Sequence, residues 1–143
     1  MIILGIGTDI VECPRIARMI DQHGEAFLRK VFTPREISEC NARKRPTEHF
    51  AARWAVKEAV FKALGITWRG PVAWTDLEIR QEKAERPVVH VGGGGKEYLQ
   101  QLRVADILVS LCSTRQFASG YALILARPKT KLEPPPIDED VPF

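Results

Sequence analysis

The order of elements along this 143-residue chain predicts an α+β fold: a strand, then a block of helices, then short strands ending in a hairpin. Three observations carry that reading. The N-terminal run Met1–Glu12 is apolar and punctuated by Gly5 and Gly7. The stretch Phe50–Gly65 reads as an almost wholly buried helix. The runs Ile107–Cys112 and Tyr121–Ala126 are strand-like and joined by a short connection, as in an antiparallel hairpin. The expected product is a single small domain, residues 1–127, with an antiparallel sheet packed on a long central helix. A Pro-rich acidic C-terminal tail, residues 128–143, follows it.

Each element has its own warrant. The opening run has the length of a buried strand. Pro14 to about Met19 or Ile20 reads as a helix start, and Phe27, Leu28, Val31 and Phe32 supply an apolar anchor. Thr33-Pro-Arg-Glu36 is a capping box with Pro in the first helical position, so a short helix is expected to about Ala42. Arg43-Lys-Arg-Pro46 ends it. Thr47 is expected to cap the central helix, which Gly65 closes. Trp68-Arg-Gly-Pro71 reads as a loop, Asp76–Gln81 as a half-buried strand, and Val88–Val91 as a second strand. Gly92–Gly95 reads as a flexible break before a helix from about Lys96 to Leu102. Pro128 onward, with Pro134-Pro-Pro136, reads as an extended or disordered tail.

Composition narrows the function classes. The formal charge is +3, but residues 129–143 hold two Lys and four acids, leaving 19 basic against 14 acidic residues elsewhere. Between Cys13 and Arg45 stand eight basic and four acidic residues. That dispersed excess suits an acidic protein partner better than nucleic acid, and equally suits a plain solvated surface. No apolar run is long enough for a membrane span, so no membrane role is expected and a cytoplasmic location is. Cys13, Cys40 and Cys112 fit neither a metal knuckle nor a disulfide framework. Gly5-Ile-Gly7 lacks the third glycine of a dinucleotide fingerprint, and Gly95-Lys96 lacks the rest of a P-loop.

Glu58 and Lys62 lie one turn apart on the central helix, about 40° from each other around its axis. Arg53 and Lys57 form a second charged patch about 140° away, and Ala52, Ala55, Ala59 and Ala63 line a side where another backbone can approach. Alone, Glu58 and Lys62 read as an i,i+4 salt bridge worth about 0.2–0.5 kcal/mol. Asp9 changes the weighting. A lone carboxylate inside an apolar run is uncomfortable without a compensating cation, unless it serves as a turn residue or cap. Two carboxylates from separate elements, with little nitrogen or sulfur nearby, suit a hard cation such as Mg²⁺.

Together, Gly5-Ile-Gly-Thr-Asp-Ile-Val-Glu12 and Ala52-Arg-Trp-Ala-Val-Lys-Glu-Ala-Val-Phe-Lys-Ala-Leu-Gly65 resemble the holo-acyl-carrier-protein synthases. These are the small single-domain 4′-phosphopantetheinyl transferases. The resemblance runs from Met1 to about Arg127 and implies that fold. It implies Mg²⁺-dependent transfer of 4′-phosphopantetheine from coenzyme A to a Ser of apo-acyl carrier protein, releasing adenosine 3′,5′-bisphosphate. By the same resemblance Asp9 and Glu58 hold the metal, and Glu58 and Lys62 are catalytic. Arg53, Lys62, Gly65, Ser113 and Thr114 meet the coenzyme, and Arg15 and Arg18 meet the carrier protein. The family assembles as homotrimers with active sites between subunits. One departure stands out: Ser113 occupies a position where the family commonly has His. That leaves, as an alternative, a non-catalytic module that binds carrier protein or coenzyme A.

Overall fold

A computed structural model describes residues 1–82 and 84–129. Strand β1 (Ile2–Glu12) leads into helix α1 (Cys13–Val31), α2 (Pro34–Asn41) and α3 (Pro46–Leu64). A 3-10 turn (Trp74–Asp76) then introduces β2 (Leu77–Arg80), β3 (Val88–Val91), α4 (Gly93–Gln101), β4 (Val104–Ser113) and β5 (Phe117–Ala126). The α+β expectation holds. β1, β5 and β4 form an antiparallel three-stranded sheet with β5 in the middle, and β2 pairs with β3 as a separate ribbon.

Helix α3 crosses the inner face of the larger sheet, and the alanine stripe explains how closely. A Cβ on Gly5 would run into the carbonyl oxygen of Ala63, one on Gly7 into that of Ala59, and one on Gly120 into the backbone of Ala55. Glycine on the sheet meets alanine on the helix, so backbone lies on backbone. β1 therefore runs antiparallel to α3 at minimal separation. Period-two alternation puts Gly7, Asp9 and Val11 on the α3 side of β1, with Ile6, Thr8 and Ile10 outward. The core is completed by Phe27, Val31, Phe32, Phe50, Phe61 and Trp74, all under 7% exposed.

Several boundaries differ from the sequence reading. α1, expected as a helix start over Pro14 to about Ile20, reaches Val31 as two helical stretches that meet at a kink, where Gly24 leaves helical geometry (φ 53°, ψ −132°). Phe27 and Val31 of the second stretch are buried in the core. The capping box at Thr33 and Glu36 is formed as expected. α3 begins at Pro46 with Arg45 before it, so Thr47 lies inside the helix and caps nothing. Asp76 closes a 3-10 turn instead of opening a strand. Gly93–Gly95 belong to α4 and are not a flexible break. Of the expected tail, residues 130–143 lie outside the described residues.

Candidate active site

Asp9 stands on β1 opposite Gly120 of β5, facing α3. The Lys62 ammonium donates to Asp9 Oδ1 at 2.8 Å and to the carbonyl oxygen of Thr8 at 3.2 Å. So Lys62 pairs across elements with Asp9, not along the helix with Glu58. That contact holds the Lys62 pKa above its ordinary value, through the Asp9 hydrogen bond first. Glu58, one turn earlier, is half-buried, and its carboxyl is raised, first by burial and then by the negative charge of Asp9. Lys62 and Arg15 pull it partly back. Asp9, Glu58, Lys62 and Arg15 thus share one electrostatic neighbourhood, built from the middle of β1, the second half of α3 and the first turn of α1.

Gly65 lies just past this cluster. It ends α3 in the left-handed conformation (φ 69°), and its amide donates to the Lys62 carbonyl at 3.1 Å. Nothing stands within 4 Å of where its Cβ would be, so the surface beyond Lys62 is open. Arg15 and Arg18 are both exposed, one turn apart on α1.

Other expected residues are not brought to the cluster. Arg53 is 2% exposed and donates to Glu39 Oε2 of α2 at 3.4 Å, about 140° around α3 from Glu58. In this arrangement its head group does not reach a surface where a phosphate would sit. Thr114 Oγ1 accepts from the amides of Gln116 (3.3 Å) and Phe117 (3.1 Å), which spends it on the β4–β5 turn. Ser113 ends β4 and is exposed, at the opposite edge of the sheet from β1 and about 10 Å across it. Within one chain, Ser113 and Thr114 stand apart from Asp9. At the glycine-rich start of α4 the Gly95 amide is already taken by a side chain of the same chain. Asp76 Oδ2 already accepts from Ala73 N (2.9 Å) and Gly95 N (3.1 Å).

Sequence reasoning named Glu36 and Lys57 separately but missed that they pair. Glu36 and Lys57 form an ion pair at 2.6 Å with both side chains fully buried. A charge inside an almost wholly apolar helix signals such a pair, but the partner here was legible only as a capping residue.

The donor set around Asp9 contains oxygen alone. Among the described residues no group of three or more His, Cys, Asp or Glu could hold a metal ion. A cation here would take two protein carboxylates at most and would leave its remaining positions to water and ligand oxygens, which is the habit of Mg²⁺. The Glu58 carboxyl is raised first by burial and then by the negative charge of Asp9, and a divalent ion would relieve that second, like-charge part. The residues fit that ion.

Two carboxylates and a lysine drawn together on an α+β fold suit a transferase that handles phosphate, and comparison with known proteins shows the family. The sequence model of the 4′-phosphopantetheinyl transferase superfamily matches residues 5–122, and the chain belongs to that family. Among its relatives, a holo-[acyl-carrier-protein] synthase from Rhodopirellula baltica is 44% identical over 87% of this chain and 98% of its own length. One from Koribacter versatilis is 42% identical over 85% and 98%. The crystal structure of the Neisseria meningitidis synthase superposes with a TM-score of 0.81 at 29% identity, covering 87% of this chain and 99% of that one. A Bacillus anthracis synthase in complex with coenzyme A (3′,5′-ADP) superposes at 0.73 with 27% identity, over 89% and 100%.

Proposed function

We propose that this chain transfers 4′-phosphopantetheine from coenzyme A to a Ser hydroxyl of apo-acyl carrier protein, with Mg²⁺ bound between Asp9 and Glu58. The convergence of Asp9 from β1 with Glu58 and Lys62 from α3 carries the reading. Mg²⁺ there supplies charge neutralisation to the pyrophosphate. The Ser oxygen forms a bond to the pantetheine-side phosphorus, the bond to the bridging oxygen breaks, and adenosine 3′,5′-bisphosphate leaves with that electron pair. Phosphoryl transfer depends mainly on positioning and on charge. Lys62, raised and held on Asp9, is a compact cation placed to offset negative charge on the leaving group. Glu58 is also the candidate acceptor for the Ser proton, directly or through a water, with a basicity that the bound cation would lower.

Arg15 and Arg18 face solvent beside this site and suit an acidic carrier. The outer sheet face supports the trimer. Ile6 is 76% exposed, Ile10 68% and Tyr121 50%, an apolar stripe left uncovered in one chain. A trimer with sites between subunits also gives Ser113 and Thr114 a route to the coenzyme held by another copy. Three unpaired cysteines fit a reducing, cytoplasmic setting.

The test is direct. The protein is incubated with coenzyme A, Mg²⁺ and apo-acyl carrier protein, and the carrier's intact mass is measured. A phosphopantetheine increment that chelator abolishes supports the proposal; carrier binding without an increment would replace it with the non-catalytic module.

A further inference from the structure

Lys57 is buried, and its ammonium uses all three donors on three separate segments. It donates to Glu36 Oε1 of α2 at 2.6 Å, to the carbonyl of Val31 at the end of α1 at 2.7 Å, and to the carbonyl of Trp74 in the 3-10 turn at 3.0 Å. Glu36 is equally committed. Its Oε1 also accepts from Thr33 N at 2.9 Å, and its Oε2 accepts from Ile79 N of β2 at 3.1 Å. Five segments therefore meet at one ion pair. A buried pair of this kind gains little net stability over well-packed apolar residues. What it gives is a fixed geometry, because charged hydrogen bonds weaken steeply with misalignment.

Lys57 precedes Glu58 in sequence, so its anchor sets the direction in which Glu58 leaves the helix. The opposite side of α3 rests on Gly5, Gly7 and Gly120, a contact that fixes the distance of approach. Small side chains alone do not fix rotation or sliding, since an Ala stripe on bare backbone has no interlocking ridges. We infer that the Glu36–Lys57 pair is a positioning device for the reaction, fixing the rotation and depth of α3 so that Glu58 faces Asp9. This rests on the proposed transferase reading for its kinetic consequences, but not for its geometry.

The double variant Glu36→Gln/Lys57→Met keeps volume and removes both charges. Its fold is checked by circular dichroism, its crystal structure is solved, Mn²⁺ binding is followed by electron paramagnetic resonance, and carrier modification is measured. In a folded variant, Glu58 shifts from Asp9 by about 1 Å or more, and kcat drops at least about tenfold. Mn²⁺ affinity drops by a comparable factor, about tenfold or more. The KM for coenzyme A rises with the loss, because Lys62 and Gly65 move with α3, whereas the KM for carrier protein changes less than about threefold, because Arg15 and Arg18 lie on α1. A folded variant with Glu58 in place, and with unchanged Mn²⁺ affinity and kcat, overturns the inference. If the double variant does not fold, Lys57→Arg, which keeps the charge but not the three-point geometry, is scored the same way. Wild-type protein is run alongside. Absence of Mn²⁺ binding and transfer there would sink the proposed function, leaving the displacement of Glu58 in the variant crystal to decide the positioning role.

Discussion

Glu58 combines a cost in folding with the role in chemistry proposed for it, and the two predict opposite effects of one substitution. Its carboxyl is raised by burial and by Asp9. Between the ordinary carboxylate value and the raised one, the native state binds more protons than the unfolded chain. Stability therefore falls as pH rises through that window and stays lower above it. Glu58→Gln removes the ionised form, so the variant should melt at or above the wild-type temperature at neutral pH while carrier modification falls at least about a hundredfold. Thermal scans beside a mass-based transfer assay check both; a variant that is less stable yet active would contradict the assignment. If Glu58 takes the Ser proton, its carboxyl should set the acid side of the rate profile. Excess Mg²⁺ should move that side to lower pH, since a bound cation favours the carboxylate. Arg15→Glu adds a negative charge beside Glu58 and the exposed face of α1. It should raise the KM for carrier several-fold, more at low than at high salt, with the KM for coenzyme A less affected. At this scale Asp9 was legible because a carboxylate in an apolar run demands a partner. Lys57 was not: helical spacing shows that it shares a face with Arg53, but not what covers that face.

The strand–helix contact is the element on which the site's dimensions depend. Gly7→Ala would place a methyl carbon on the carbonyl oxygen of Ala59, where the obstacle is backbone and cannot swing aside. Overpacking of this kind costs about 1–3 kcal/mol, and the upper half of that range is expected here. Urea unfolding should show the loss, and turnover should fall in the fraction that stays folded, because β1 carries Asp9 away from α3. A neutral Gly7→Ala would mean that the contact is looser than described. The alanine stripe was readable in the sequence as an invitation to close packing; its acceptors, Gly5, Gly7 and Gly120, lie far off in the chain and only the fold pairs them. Element ends failed for local reasons. Gly24 breaks the helical geometry of α1 at a kink, after which the chain resumes a helix to Val31, and Pro46 starts α3 a residue before the hydroxyl of Thr47. Gly93–Gly95 join α4 because Asp76, nineteen residues before Gly95, caps them.

A sequence reading of β1 as a buried strand meets, in the single chain, a strand buried on one face only. Ile6 and Ile10 point away from α3 and stand beside Tyr121 of β5, with Leu108 of β4 also exposed, at 42%. The sheet is antiparallel and, among the described residues, packs chiefly on α3 with one face, so its other face needs water or another copy. Polar residues would be expected for water, and this face is largely apolar. If assembly covers it, Ile6→Glu with Tyr121→Glu should leave a folded monomer, because the inner core of α3, β1 and β5 is not touched. Analytical ultracentrifugation would then read one third of the wild-type mass, with an unchanged far-ultraviolet circular dichroism spectrum. Transfer activity should be lost with the mass, since Ser113 and Thr114 cannot reach the Asp9 of their own chain across the sheet. Mixing the monomeric variant with the Glu58→Gln protein would not restore it, because neither protein can supply both an intact Glu58 and an intact interface. A monomeric variant that still modifies carrier would show that one chain holds a complete site, and the sheet face would then need a different occupant.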